Sequence, residues 1–150
     1  MSALKDQLRA DLTTAMKSRD ELRTATLRMV LAAVSAEEVA GKEARELSDD
    51  EVLGVLRREA KRRREAAEAF ESAGRAEQSA RERAEGEVVA GYLPAQLDDA
   101  DLAAIVADAV TRTGASGMRD MGKVMGAANA VVAGRAEGSR VAAEVRRQLA

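Results

Sequence analysis

An all-α fold follows from three features of this sequence. The apolar residues are mostly Ala, Leu, Val and Met, and aromatics make up only 1% of the chain. Helices accept that set readily, whereas strands favour β-branched and aromatic residues. Pro94 is the single proline, so long stretches run free of helix breakers. Leu, Val and Ala recur at three- and four-residue spacing over most of the chain, which is the stripe an amphipathic helix needs.

The elements follow in order. Leu4, Leu8, Leu12 and Ala15/Met16 predict a helix over Ser2–Lys17. A short joint at Ser18–Arg19–Asp20 leads into a second helix over Asp20–Val39, with Leu27, Val30, Leu31 and Val34 as its buried stripe and Leu22 extending it. Gly41–Leu47 reads as a polar connection. The third helix opens on a capping box, Ser48 with Glu51, stapled by Leu47 and Val52. Asp49 and Asp50 suit the positive end of its dipole. It should run to Ala73, with Gly74 as a left-handed stop. Its middle, Arg57–Glu65, offers almost nothing to a core and reads as a solvent-bridging stretch held by packing at either end. A fourth helix, Ala76–Gly91, presents Ala80, Ala84 and Val88 as a narrow stripe and is weakened by Gly86.

Gly91–Tyr92–Leu93–Pro94 breaks the pattern, and the helix grammar then restarts. Asp98 is a cap with Asp101 three later, and Leu97 with Leu102 forms a staple. Helix five covers Asp99–Thr113, buries Leu102, Ile105, Val106 and Val110, and stops at Gly114. Helix six runs from near Asp120 to near Gly134. Helix seven runs from near Ser139 to Leu149 and buries Val141, Val145 and Leu149. The expected architecture is therefore an N-terminal helical domain with a long helical hairpin, residues 1–92, followed by a small C-terminal three-helix bundle, residues 93–150.

Composition removes whole classes of function. With no cysteine, disulfides and thiolate metal sites are excluded. With no histidine, the commonest general acid/base and the commonest metal ligand are missing. No catalytic residue, metal site or cofactor is expected. The carboxylate pairs Asp49/Asp50 and Asp98/Asp99 read as helix caps, not as an acid–base couple, which needs burial to split its pKa values. A serine nucleophile would need a lysine base, and no spacing offers one. The net charge of −2 means that any polyanion must be held by a local basic patch. No apolar run spans a bilayer and the N-terminus lacks the pattern of a signal or transit peptide, so the expectation is a cytoplasmic protein without a membrane partner.

Three motifs remain. Gly117-x-x-x-x-Gly122-Lys123 imitates a phosphate-binding loop, but Val124 replaces the Ser or Thr that would bind magnesium and no strand precedes it. Gly122 and Gly126 lie four apart, either for close helix packing, the commoner cause, or for the approach of something external such as a phosphate chain. Arg57–Arg64 is the strongest electrostatic feature, read either as a phosphate-binding strip or as a solvated face with pairs such as Lys61–Glu65 and Arg64–Glu68. The C-terminal segment adds Arg119, Lys123, Arg135, Arg140, Arg146 and Arg147, offset by equally numerous acids. Two aromatics cannot build a base-stacking platform, so an RNA ligand would be a structured one held by its phosphates and shape.

The residues also spell a family in order. Ala15–Met16–Lys17–Ser18–Arg19–Asp20, Leu27–Arg28 and Ala32–Ala33–Val34 form its opening. Leu47–Ser48–Asp49–Asp50–Glu51–Val52 and Ala69–Phe70–Glu71–Ser72–Ala73–Gly74–Arg75 form the middle, and Tyr92–Leu93–Pro94–Ala95–Gln96–Leu97 the junction. Gly117–Met118–Arg119–Asp120–Met121–Gly122–Lys123–Val124–Met125–Gly126 and Gly134–Arg135–Ala136–Glu137–Gly138 with Val141 complete it. Together they resemble the GatB/YqeY family over essentially the whole chain. The resemblance implies a C-terminal bundle similar to the tail of the GatB component of the tRNA-dependent amidotransferase, a tail that contacts tRNA while the amide-transfer chemistry lies elsewhere. Similar tails are appended to a glutaminyl-tRNA synthetase. It implies a non-catalytic partner of tRNA or of a tRNA-charging or tRNA-amidating enzyme, with Arg119, Lys123 and Arg135 as the RNA-binding residues and no DNA expected. The alternatives are a component of a glutamine-dependent carbon–nitrogen ligase, active in complex, and a helical protein–protein adaptor. Glu137 stands where the family usually has Asp, which leaves Ser139 as an alternative cap, and Gly86 where a bulkier residue is usual.

Overall fold

The computed structural model describes residues 2–150; Met1 lies outside them. Among the described residues the chain forms seven α-helices and one 3₁₀ turn, with no strand. No helix among them is long and apolar enough to cross a membrane.

Helix α1 (Ala3–Lys17) starts where the Ser2 hydroxyl accepts from the Lys5 amide. That hydroxyl also donates to Asp49 at 2.5 Å, and the Leu4 amide reaches the same carboxylate. Asp49, the first residue of α3 (Asp49–Ser72), therefore closes the positive end of α1 as well as its own helix. Helix α2 (Glu21–Glu38) is capped by Asp20. A Lys5–Glu38 ion pair at 2.6 Å, both side chains 12% exposed, ties the start of α1 to the end of α2. The capping box at Ser48 and Glu51 is present, and Arg45 grips the Glu51 carboxylate through two nitrogens. That grip holds the Glu51 carboxyl well below the usual range, at about 2. Leu8, Leu27, Val30, Val34, Leu47, Val52, Leu56 and Val89 form the core of this part of the chain. Of the Ala15/Met16 pair, Ala15 takes the buried position at the end of α1 and Met16 is 49% exposed.

Helices α3 and α4 (Ala76–Ala90) run antiparallel. Ser79 donates to the Ala67 carbonyl at 2.8 Å, and Arg63 meets Glu85 and Glu82. Two expectations are corrected here. The middle of α3 does reach into the interior, since Glu59 and Arg63 are 8% and 3% exposed. The buried side of α4 is Ser79, Glu85 and Val89, whereas Ala80 is exposed and Ala84 and Val88 are half-buried. The helix is turned to bring Glu85 onto Arg63 and Ser79 onto a backbone carbonyl. A buried charge without its partner would be costly, and that outweighs burial of two alanine methyls. A Cβ added at Gly86 would sit 3.8 Å from the Arg63 Cβ, an ordinary contact. Gly86→Ala should therefore raise stability by about 0.5–1 kcal/mol, measured by urea unfolding.

Tyr92, just past α4, gathers three segments. Its hydroxyl donates to Asp11 on α1 at 2.5 Å and accepts from Arg23 on α2 at 3.2 Å, and the Arg23 guanidinium lies 6.0 Å from the ring centre. Burial, with the Asp11 carboxylate beside it, pushes the phenol up to about 12. A folded-state value raised from 10.0 means that this contribution to stability is complete below pH 10 and is lost as pH rises through about 12. Tyr92 is the only tyrosine and there is no tryptophan, so phenolate absorbance reads it directly. The expected titration midpoint is near 12 in the native protein and near 10 in concentrated urea.

The chain divides into two compact units, Met1–Leu93 and Pro94–Ala150. The second contains α5 (Asp99–Thr113), a 3₁₀ turn (Met118–Asp120), α6 (Met121–Val132) and α7 (Gly138–Leu149). Its core is Leu102, Val106, Ala109, Val124, Ala128, Val132, Val141 and Val145, with Leu97 and Leu149 at its edges. Asp98 caps α5, and Gly114 ends it at φ +66. Helix α6 stops at Val132, two residues before the expected Gly134, because Ala133 and Gly134 both take left-handed conformations. Helix α7 starts at Gly138 with Glu137 in the cap position, so Ser139 lies inside the first turn and is not the cap.

Candidate nucleic-acid interface

The segment before α6 is shaped by small residues and one carboxylate. Asp120 accepts from the Ser116 amide at 3.0 Å, and its own amide closes the 3₁₀ turn onto Gly117. This places Arg119 at the entry of α6 and Lys123 in its first turn, four residues apart and both exposed. Neither has an ion pair among the described residues. Between and beyond them lie Gly122 and Gly126. A Cβ added at either would meet nothing within 4 Å. The packing explanation for this glycine pair is thereby corrected. Helix α6 buries Val124, Ala128 and Val132, and the glycines lie on the opposite side, where they leave a strip of bare backbone open. Met118, 46% exposed, stands at the edge of this surface.

Arg135 is elsewhere. Its Nε donates to the Val132 carbonyl at 3.1 Å and an NH2 donates to Val131 at 2.8 Å, so its guanidinium closes the C-terminal end of α6. Its backbone carbonyl accepts from the Leu97 amide at 2.8 Å. The twelve residues of α6, at ~1.5 Å rise each, put about 18 Å between this end and the Arg119–Lys123 end. The structure thus brings Arg119 and Lys123 together and leaves Arg135 apart from them.

Many other cations are paired, although Lys17, Arg28 and Lys42 in the first unit are exposed without an ion pair among the described residues. Arg112 pairs with Asp108, Arg140 with Asp99, and Arg147 with Glu144, whose carboxyl falls to about 2 through the Arg147 contact. Arg146 is exposed without an ion pair among the described residues. In α3, Arg58 faces Glu37, Lys61 faces Glu65, Arg62 faces Glu59, and Arg63 faces Glu82 and Glu85. The solvated-face reading fits the exposed members of that run, while Arg63 is internal. Sequence spacing reveals the pairs within one helix. It cannot reveal Arg58–Glu37 or Arg63–Glu85, which depend on how helices meet.

The phosphate-loop imitation fails in three dimensions also. Val124, at the position of the magnesium-binding hydroxyl, is fully buried in the core, and a 3₁₀ turn precedes the helix instead of a strand. No group of three or more metal-ligating side chains comes together among the described residues.

Among curated proteins, none matches this chain. Comparison with protein families matches residues 5–149 to the YqeY-like protein family. That match takes in both units, and the chain is accordingly a member of the YqeY-like protein family.

Proposed function

We propose that the protein is a non-catalytic accessory factor that binds tRNA through the entry of α6, with Arg119 and Lys123 as phosphate contacts. The observation that carries this reading is the pair of exposed cations, neither in an ion pair among the described residues, beside the open backbone of Gly122 and Gly126. In a chain of net charge −2, a polyanion must find a local surface where cations are not already paired. This surface is one. Bare glycine backbone lets a sugar–phosphate strand lie close, with Arg119 and Lys123 on the same face of the helix entry. The scarcity of aromatics favours a folded RNA bound by shape and phosphates over a single strand bound by stacking. Arg135 serves this site indirectly, by closing the far end of the helix that carries it.

The test is titration of bulk tRNA into the full chain at low salt, followed by fluorescence anisotropy. Arg119→Ala and Lys123→Ala should each weaken binding by about threefold to tenfold. Arg135→Ala should lower the unfolding midpoint and leave affinity at temperatures well below that midpoint unchanged. Full tRNA affinity in an Arg119→Ala/Lys123→Ala chain would refute the assignment. Met118 on the edge of the same surface favours a second reading, a protein-binding adaptor, since exposed methionine suits adaptable protein contacts. Loss of tRNA binding altogether in the unmodified chain would point to it.

A further inference from the structure

Arg63 is 3% exposed and is the most deeply buried charged side chain among the described residues. Its NH1 faces Glu82 and Glu85 on α4. On its other side the partners run short. The NH2 donates to the Sδ of Met29 on α2 at 3.3 Å, and the Nε has no partner. A thioether sulfur is a weak acceptor, so this buried guanidinium is under-satisfied where it meets α2. Met29 is itself 51% exposed, close to Met16 at 49% and Met118 at 46%. The sulfur of a half-exposed methionine thus rests on a buried cation.

We infer that Met29 is a site of oxidation by hydroperoxides, and that Arg63 holds the methionine sulfoxide that results. A sulfur lone pair attacks the terminal peroxide oxygen. The S–O bond forms as the O–O bond breaks, and a proton passes to the departing oxygen, which leaves as water or alcohol. Sulfur is oxidised by two electrons and the peroxide is reduced by two. The Arg63 NH2 occupies one lone pair, so oxygen adds to the other and one sulfoxide epimer predominates. Rotation about the terminal side-chain bonds, which are free in methionine, then brings that oxygen to the guanidinium. Sulfoxide formation ordinarily loosens an apolar contact. Here it supplies a buried arginine with the strong acceptor it lacks and draws α2 onto α3 and α4.

The test exposes the full chain to limiting hydrogen peroxide and separates the sulfoxide epimers of each methionine peptide. Met29 should oxidise no faster than Met16 and Met118, whose exposures are alike, because one of its lone pairs is engaged by Arg63. At Met29 in the folded chain one epimer should exceed the other by about threefold, the scale of one hydrogen bond of ~0.65 kcal/mol. At Met16 and Met118, and at Met29 in concentrated urea, the two should be near equal. In a Met16→Leu/Met118→Leu chain, oxidation should leave the unfolding midpoint no lower than before, judged against the same chain carrying Met29→Leu. Equal epimers at Met29 in the folded protein, or a midpoint that falls on its oxidation, would overturn the inference.

Discussion

Glu85→Ala is expected to destabilise the first unit by about 3 kcal/mol, measured by urea unfolding. Glu85 is 8% exposed and meets Arg63, which is 3% exposed; Arg81 also reaches Glu85 at 2.7 Å. Removing the carboxylate leaves a buried guanidinium with Glu82, 3.3 Å away and better solvated, as its remaining anion. The loss sits at the lower end of what breaking a buried pair costs, because Glu82 remains. The pair need not add net stability relative to an apolar alternative, since burying two charges is itself expensive. Replacing both, Arg63→Met with Glu85→Leu, should therefore recover most of the loss. A Glu85→Ala effect below about 1 kcal/mol would mean that the pair does not hold α3 to α4.

Leu56→Ala should cost about 3–4 kcal/mol. Leu56 is fully buried on α3, within the cluster that joins Leu8 of α1, Leu27 and Val30 of α2 and Val89 of α4. Four helices converge there, and the cavity left by a missing isobutyl group can collapse only if several of them move. The second unit has a core of its own around Val106, Val124 and Val145. Calorimetry on the full chain should therefore show the first unit's transition move to lower temperature, while the transition of Pro94–Ala150 holds its place. A single transition that shifts as a whole would show that the two units unfold together.

These two sites also mark how much was legible in the sequence. The helices were, because each apolar stripe repeats at helical spacing and caps such as Ser48–Glu51 and Asp98 announce their starts. Leu27, Val30, Val34, Val141, Val145 and Leu149 are buried where the periodicity puts them. Reading failed where polar groups decide the packing. In α4 the stripe of Ala80, Ala84 and Val88 gave way to Ser79, Glu85 and Val89, because the partners of Ser79 and Glu85 lie on another helix. At the candidate site, Arg119, Lys123 and Arg135 are alike on paper as cations near one motif. Only the fold shows that Arg135 is spent on the carbonyls of Val131 and Val132. The openness of Gly122 and Gly126 was likewise invisible, since a glycine pair has the same spelling whether a helix or a ligand lies against it.

If the proposed phosphate contacts at the entry of α6 hold tRNA, binding must depend on salt, followed from about 50 to about 200 mM in the unmodified chain and in Arg119→Ala and Lys123→Ala. Log affinity should fall linearly with log salt, with a slope shallower by about 0.7–0.9 in each variant, one phosphate contact apiece. Absence of binding at about 50 mM salt, or an unchanged slope in both variants, would contradict those contacts.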